Sequence, residues 1–497
     1  AVPNLNITPA DGKPTRAPGF NIRGTTSIGQ GGSALILIDG VEGDPSILNP
    51  NDIESGSVLK DASSAAIYGS RGTFGVVLIT TKRAKEGRST INYSGGLTSQ
   101  KPTTLPDFVT DGYTYAERFF EAYNAWNNYS SIPCKLNKTQ IFTLDWLEEF
   151  KKRKEAGNTE EVTLNSNGEY VYYGNEDYYG ALIKDNTFVQ DHNLSASGTS
   201  GKIDYFLSGR LFDNKGLYRY NTDTYKSYNT RAKAGLQVTD WLRVENNIDY
   251  AFMKYHDPST AGEGGNIWRN IADEGHPSSP IYNPDGSFSF SAAYTLGDFI
   301  YGKNGTDFEK KDLRNTTSFS TKFFNNTFRI KGDLTFRNRD YGSTRVRVPV
   351  PYSVKEGVIV PLKTGMNDNI YQVAQENNYL FTNLYGEYEN TFAENHYFKG
   401  LIGYNYEQQR YNATYITKNG LLTENTENIN LALGDAVQAT AGYNRYRLAG
   451  LFFRVNYIFK DRYLFEANGR YDGSSKFPTN EQWAFFPSVS AGWRVSQ

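Results

Sequence analysis

The feature that most constrains this chain is a period of two. From Tyr463 to Asp472 one set of alternate residues reads Tyr463, Phe465, Ala467, Gly469, Tyr471, and the other reads Leu464, Glu466, Asn468, Arg470, Asp472. Successive side chains of a β-strand point to opposite faces, so this is a strand with two unlike faces. Ile203, Tyr205, Leu207 and Leu211 alternate in the same way with Lys202, Asp204, Ser208 and Arg210. So do Phe328, Ile330, Leu334 and Phe336 with Arg329, Lys331, Asp333, Arg337 and Arg339. The pattern recurs from about residue 90 onward and predicts about twelve strands, near 91–99, 188–197, 202–213, 225–238, 241–255, 312–324, 327–340, 378–392, 396–413, 443–459, 462–472 and 484–496.

A soluble β-sandwich also alternates, so connection lengths must decide. Short turns are expected at Gly198 to Gly201, Thr239 and Asp240, Asn325 and Asn326, Ala393 to Asn395, and Lys460 and Asp461. Long polar connections lie between them, at roughly 256–311, 341–377 and 414–442. Short and long alternate, as they do when one rim of a transmembrane barrel faces the periplasm and the other the outside. Trp241, Tyr250, Phe252, Tyr457, Phe459, Tyr463 and Trp493 stand near strand ends, where aromatic girdles lie. The 37 tyrosines and 30 phenylalanines against 2 methionines fit that reading better than they fit a compact soluble enzyme. No run of about 18 apolar residues predicts a transmembrane helix, which a barrel does not need. The opening from Ala1 has no signal-peptide pattern, and the export route is therefore not visible. With 52 basic and 54 acidic residues the net charge is -2, which argues against a nucleic-acid partner. The single cysteine, Cys134, removes any disulfide framework and reads as a lone loop or buried thiol.

Residues 1 to about 88 differ from the rest. They hold short apolar strands, "ALILIDG" and "GVVLITT", many glycines and a helix-prone piece, "LKDASSAAIY". In "SSAAIYGSRGTFGVVLITTKRAKEG" the glycines precede the strand and a basic run follows, so the Lys-Ser or Lys-Thr closure of a phosphate-binding loop is missing. A mixed unit of this kind ahead of a barrel suggests a plug in the lumen, and a lumen that wide needs more strands than a small barrel has. The expected organisation is an N-terminally incomplete α+β plug over 1–88 and the first part of an antiparallel transmembrane β-barrel over 89–497. The connection at about 100–187 is an elaborated outer loop with helical spacing in "YTYAERFFEAYNAW" and "TQIFTLDWLEEFKKRKEA".

"FNIRGTTS" (20–27), "LILIDGVEGD" (35–44), "LNPNDIESGSVLKDASSAAIYGSRGTFGVVLITTK" (48–82), "QDHNLSASG" (190–198) and the late "RYDGSSKF" with "FFPSVSAGWRVS" resemble the plug and early barrel of SusC-like TonB-dependent transporters. "ESGSVLKD" departs from the family pattern at Gly56 and Ser57, which puts the local strand packing in question. The resemblance implies a 22-strand plugged barrel integral to the bacterial outer membrane and a SusD-like lipoprotein as a lid at the extracellular face. It also implies TonB on the periplasmic side, membrane lipid around the wall, and a dimer of such pairs. About twelve strands fall short of closure, and an open edge in lipid strands backbone groups, so a further C-terminal barrel segment is expected after Gln497. The TonB-contacting segment is expected ahead of Ala1. In that family the plug-core motif corresponds here to Arg23, Gly24, Asp39, Gly40, Tyr68, Gly69, Arg71 and Gly75. The plug loops between strands offer Thr25, Ser27, Gln30, Ser33, Glu42 and Asp44 to a substrate. Arg23 and Arg71 are expected to face barrel carboxylates among Glu245, Glu387, Glu389 and Glu466.

Nothing points to bond chemistry. His192, His256, His276 and His396 are scattered, with no HExxH or GxSxG motif and no metal-ligand spacing, so neither catalytic residue, metal nor cofactor is expected. "NPDGSFSF" at Asn283 resembles part of a calcium loop, but Pro284 and the missing later ligands make it a plain turn. Three functions remain open: import of oligosaccharides, import of oligopeptides or another bulky nutrient by the same mechanism, and a structural or adhesive surface barrel.

Overall fold

The computed structural model describes residues 6–8, 19–22, 34–59, 68, 72, 74–84, 89–258, 266–362, 368–434 and 437–495. Two sheets dominate it. The smaller contains β1 (Leu35–Ile38), β2 (Val41–Glu42), β3 (Ile53–Leu59) and β4 (Val76–Thr81) in the order β2-β1-β4-β3. β1 and β4 run parallel, and the other pairs run antiparallel. β1 turns into β2 over two residues, Asp39 at φ 51° and Gly40 at φ 86°, the double left-handed geometry that an Asp-Gly pair favours. The apolar runs of β1 and β4 meet Ile22 and Val58 in a small core. Gly56 and Ser57 lie on the exposed middle of the edge strand β3, where no neighbour approaches a Cβ added at Gly56. The departure from the family pattern at these two positions therefore falls on a solvent-facing part of the strand. The helix-prone piece at 60–67 lies outside the described residues.

The larger sheet has twelve strands in uninterrupted sequence order, all pairs antiparallel. They are β5 (Thr90–Gln100), β6 (Thr187–Ser200), β7 (Ile203–Lys215), β8 (Thr224–Thr239), β9 (Leu242–Asp257), β10 (Gly305–Thr321), β11 (Phe328–Arg347), β12 (Asn369–Phe392), β13 (His396–Asn419), β14 (Val437–Phe459), β15 (Tyr463–Ser474) and β16 (Trp483–Trp493). The connections alternate as expected. Those after β6, β8, β10, β12 and β14 are tight, and those after β5, β9, β11 and β13 are long.

The longest overruns of the expected strand ends are at the long-loop rim, although β6 also runs three residues further, to Ser200, at a tight turn. β12 begins at Asn369 rather than near 378, and β13 runs to Asn419 rather than 413. β10, β11 and β14 extend in the same direction. At 24 residues, β12 and β13 span roughly 80 Å, more than twice the 9–11 residues that cross a bilayer. In these extensions apolar and polar residues do not alternate, as in Ile370, Tyr371, Gln372, Val373 and Ala374, so the sequence mark of a strand fades while the backbone ladder continues.

Burial along inner strands of the sheet is inverted relative to a soluble sheet, whereas the edge strands β5 and β16 are exposed on both faces. On β8 the buried set is Tyr225, Ser227, Asn229, Arg231, Lys233 and Gly235, while Tyr228, Ala232, Ala234 and Leu236 are exposed. On β15 Asn468 and Arg470 are buried, and Tyr463, Phe465 and Tyr471 are exposed. A polar interior with an apolar exterior is the arrangement of a membrane barrel wall. The long connections fold over the outer rim around their own apolar clusters. α1 (Gly112–Trp126) and α2 (Leu144–Glu155) pack on Phe142 and Tyr173, and a second cluster joins Leu182, Ile271, Leu296 and Phe299. α2 begins later than its apolar spacing suggests, because the Thr143 hydroxyl accepts from the Trp146 amide and sets the N-cap there. "NPDGSFSF" is a tight turn between Tyr282 and Phe288, with Gly286 at φ 83°. Cys134 is exposed in a loop.

Candidate functional site

The buried charges of the wall meet the plug sheet at one place. Arg231, on β8, has no exposed side-chain surface and lies 3.6 Å from Asp39, 3.2 Å from Asp52 and 2.7 Å from Asp249. Asp249, on β9, also holds Arg314 of β10 at 3.0 Å. Lys233 lies 3.8 Å from Asp39 and donates to the Thr81 hydroxyl at 3.4 Å. Three carboxylates and three cations thus share one desolvated cluster, two of the carboxylates from the plug and all three cations from the wall. Buried charge is tolerated when paired and hydrogen-bonded; every charge here is paired, and Arg231 donates through Nε and one terminal nitrogen while its other terminal nitrogen has only the 3.6 Å ion contact with Asp39.

Each plug residue is placed by local geometry. The Asp39–Gly40 turn aims the Asp39 carboxylate at β4, where it accepts from the Thr81 amide at 2.9 Å and the Thr81 hydroxyl at 2.6 Å, and it also accepts from Asn247 at 3.1 Å. Burial raises the Asp39 pKa, but Lys233, the Thr81 hydrogen bonds and Arg314 outweigh it, and the group titrates below its ordinary 3.8. Asp52 ends a short turn capped by Asn49 and accepts from Ser208 at 2.8 Å. There burial wins over Arg231, and the Asp52 pKa is raised. Main-chain contacts complete the attachment: Asn229 donates to the Ile47 carbonyl, Arg314 to Ile38 and Arg337 to Glu42. Asn49 donates to Asn193 of β6 at 2.8 Å.

Beside this attachment lies a cavity of about 820 Å³ between plug and wall, within the range of small-molecule sites. Leu35, Leu37, Gly40, Glu42 and Tyr68 line it from the plug, and Tyr379, Phe381, Tyr385, Tyr446 and Phe452 from β12 and β14. Asn383, Asn405, Glu407 and Arg470 supply polar groups among the rings. Tyr446 donates to Glu407 and Gln409, both at 2.9 Å, and the Arg470 guanidinium lies over Phe452 at 5.3 Å.

The residues expected from sequence fall into four groups. Asp39, Gly40, Glu42 and Tyr68 are brought to the attachment or the cavity. Asp44 caps the turn Pro45–Ile47 and pairs with Lys310 of β10 at 3.1 Å, so it faces the wall. Gly75 takes φ 89°, and a Cβ there would sit 2.8 Å from Ile22 Cδ1. Arg23, Gly24, Thr25, Ser27, Gln30, Ser33, Gly69 and Arg71 lie outside the described residues. The carboxylates expected opposite Arg23 and Arg71 have described partners elsewhere: Glu245 pairs with Arg243 and Arg83, Glu387 and Glu389 with Arg329 and Lys399, and Glu466 with Arg454. Sequence reasoning missed Asp52, Arg231, Lys233, Lys310 and Arg314. The available signal was two cations at inward positions of β8, separated by small outward alanines. The four histidines stand apart, bonded to Tyr93, Asp307, Tyr115 and Tyr457.

The family model for the TonB-dependent receptor plug domain matches residues 1–76. TonB-dependent receptor SusC of Bacteroides thetaiotaomicron is 26% identical over an alignment covering 100% of this chain and 47% of SusC. The RagAB peptide transporter structure superposes with a TM-score of 0.77 at 20% identity, covering 98% of this chain and 54% of that one. The plug-domain match, the SusC relative and the shared RagAB fold support a SusC-like TonB-dependent transporter. TonB-dependent receptor P26 of Formosa agariphila is 25% identical over 99% of the chain and 46% of its own length. The chain spans about half the length of the curated relatives it matches. SusC-like transporters are integral outer-membrane proteins, so the apolar exterior of the twelve-stranded sheet is the face turned to lipid.

Proposed function

We propose that the chain is the plug, over 1–88, and the first part of the barrel, over 89–497, of a transporter that imports oligosaccharides across the outer membrane. The complete wall has 22 strands. A SusD-like lipoprotein closes the extracellular side, and TonB acts on the plug from the periplasm. The work is vectorial and involves no bond chemistry. The observation that carries this reading is the cavity that plug and wall form together, next to an ionic attachment between them. A ligand in that cavity touches both parts, so moving the plug changes the ligand's surroundings. The rings of Tyr379, Tyr385 and Tyr446 offer flat apolar faces to sugar C–H groups, and Asn383 and Asn405 offer amides to hydroxyls.

A second reading, import of oligopeptides, is favoured by charges of both signs around the cavity, Glu387 and Asp472 with Arg454 and Arg470. RagAB, whose fold this chain shares, is a peptide importer. The test is capture of the tagged full-length protein in mild detergent, with mass spectrometry of bound small molecules and uptake assays with labelled oligosaccharides and labelled peptides. Bound glycan and glycan uptake support the first reading, and bound peptide with peptide uptake supports the second. Failure of both uptakes in cells that display the protein overturns import.

A further inference from the structure

The outward face of the wall ends differently on β13 and β14 than on the other strands. Outward positions of β13 run Ile402, Tyr404, Tyr406, Gln408, Arg410, and their partners on β14 run Phe453, Leu451, Ala449, Arg447, Arg445. Ile402 is 70% exposed and Leu451 53%, so this is the lipid-facing band, and the three exposed arginines cap it on the long-loop side. Arg410 lies directly opposite Arg445, and like charges at paired positions destabilise an antiparallel ladder. The side chains of Arg445 and Arg447 both donate to the same neutral acceptor, Oε1 of Gln408, each at 3.1 Å. Among the described ion pairs none includes Arg410, Arg445 or Arg447. The outward acid Glu376 stands diagonal to Arg410 and accepts instead from Asn378 at 2.7 Å.

Three other outward cations on the same rim have partners. Lys254 pairs with Glu309 at 2.7 Å and Lys226 with Asp213 at 3.8 Å, and Lys311 lies over Phe252. The arginine group also borders interfacial aromatics: Tyr406 donates to Gln408, and Tyr471 stacks on Trp483 with ring centroids 5.0 Å apart on the adjoining strands. Aromatic belts mark the height of the lipid headgroups.

We propose that Arg410, Arg445 and Arg447 form a docking site for the phosphate groups of an outer-leaflet lipid. The inference rests on the outer-membrane reading of the wall and is independent of the transported substrate. Three points carry it: the site continues the lipid-facing surface, it stands at headgroup height, and it holds three positive charges that the described wall leaves without a carboxylate. Guanidinium groups bind phosphate through paired N–H donors, and each basic residue at a membrane surface adds to attraction for anionic lipid.

The test uses full-length protein in detergent, titrated with lipid A or with its dephosphorylated form and followed by native mass spectrometry. Wild type is expected to retain the phosphorylated lipid roughly tenfold better than the dephosphorylated one, and R410Q/R445Q/R447Q is expected to lose that preference. K254Q, at a paired rim cation, is expected to keep it. Gel heat-modifiability of the triple variant reports whether the barrel is folded, and should the triple fail to fold, the single variant R445Q must show a reduced preference instead. Equal retention of the two lipids by wild type, unchanged preference in the folded variants, or occupation of the patch by a second protein copy would overturn the proposal.

Discussion

Arg231 is the residue on which the plug attachment turns. It is fully buried among Asp39, Asp52 and Asp249, so replacing it with methionine leaves desolvated carboxylates short of one cation. Breaking a buried charge network from one side costs about 3–5 kcal/mol. R231M in the full-length protein is therefore expected to release the plug at markedly lower urea concentration, read by protease access to the plug while the barrel remains folded. Acid should act on the same contact. Asp39, facing Arg231, Lys233 and Arg314, has its pKa held below 3.8, so its stabilising contribution is complete above that value and is lost as pH falls through the lowered pKa. Asp52, raised by burial, works in the opposite sense, because its protonation relieves a cost. Plug release on acidification below about pH 4 is expected in the wild type, with a flatter acid limb in D39N.

Among the elements, the tight turns carry strain that the sequence does not soften. Ala393 and Glu394, between β12 and β13, have φ of 45° and 64°, and Lys460 and Asp461, between β14 and β15, have φ of 49° and 50°. Left-handed backbone costs an ordinary L-residue about 1–2 kcal/mol, which glycine avoids. E394G is expected to raise stability by up to about 1 kcal/mol, seen as a higher thermal midpoint of the full-length protein. The reverse holds at Gly75, already at φ 89° and packed on Ile22, where G75A should loosen β4 and expose the plug to protease. The strand periods were readable because they are local. The overrunning ends of β10 to β14 were not, because there apolar and polar residues do not alternate while the cross-strand ladder continues.

For the whole molecule, function as proposed requires plug and wall to part. Asn49 and Asn193 hydrogen-bond across that boundary at 2.8 Å, so a disulfide in N49C/N193C ties the plug to β6. Uptake should fall to background in the oxidised protein and return with reductant. Uptake unaffected by a complete cross-link would mean that this part of the plug does not move. The sequence alone determined the period of two, the alternation of short and long connections and the separate glycine-rich unit ahead of them, because each is written in neighbouring residues. Asp39 and Gly40 were marked through the resemblance of "LILIDGVEGD" to the plug motif of SusC-like transporters. Which charges meet was decided only by the tertiary structure. The plug arginines expected to face wall glutamates, Arg23 and Arg71, lie outside the described residues, and the described contact sets plug Asp39 and Asp52 against wall Arg231 and Lys233. The contacts of this boundary join residues 144 to 295 positions apart. Partners that distant depend on the accumulated register and curvature of strands that each carry only a local pattern.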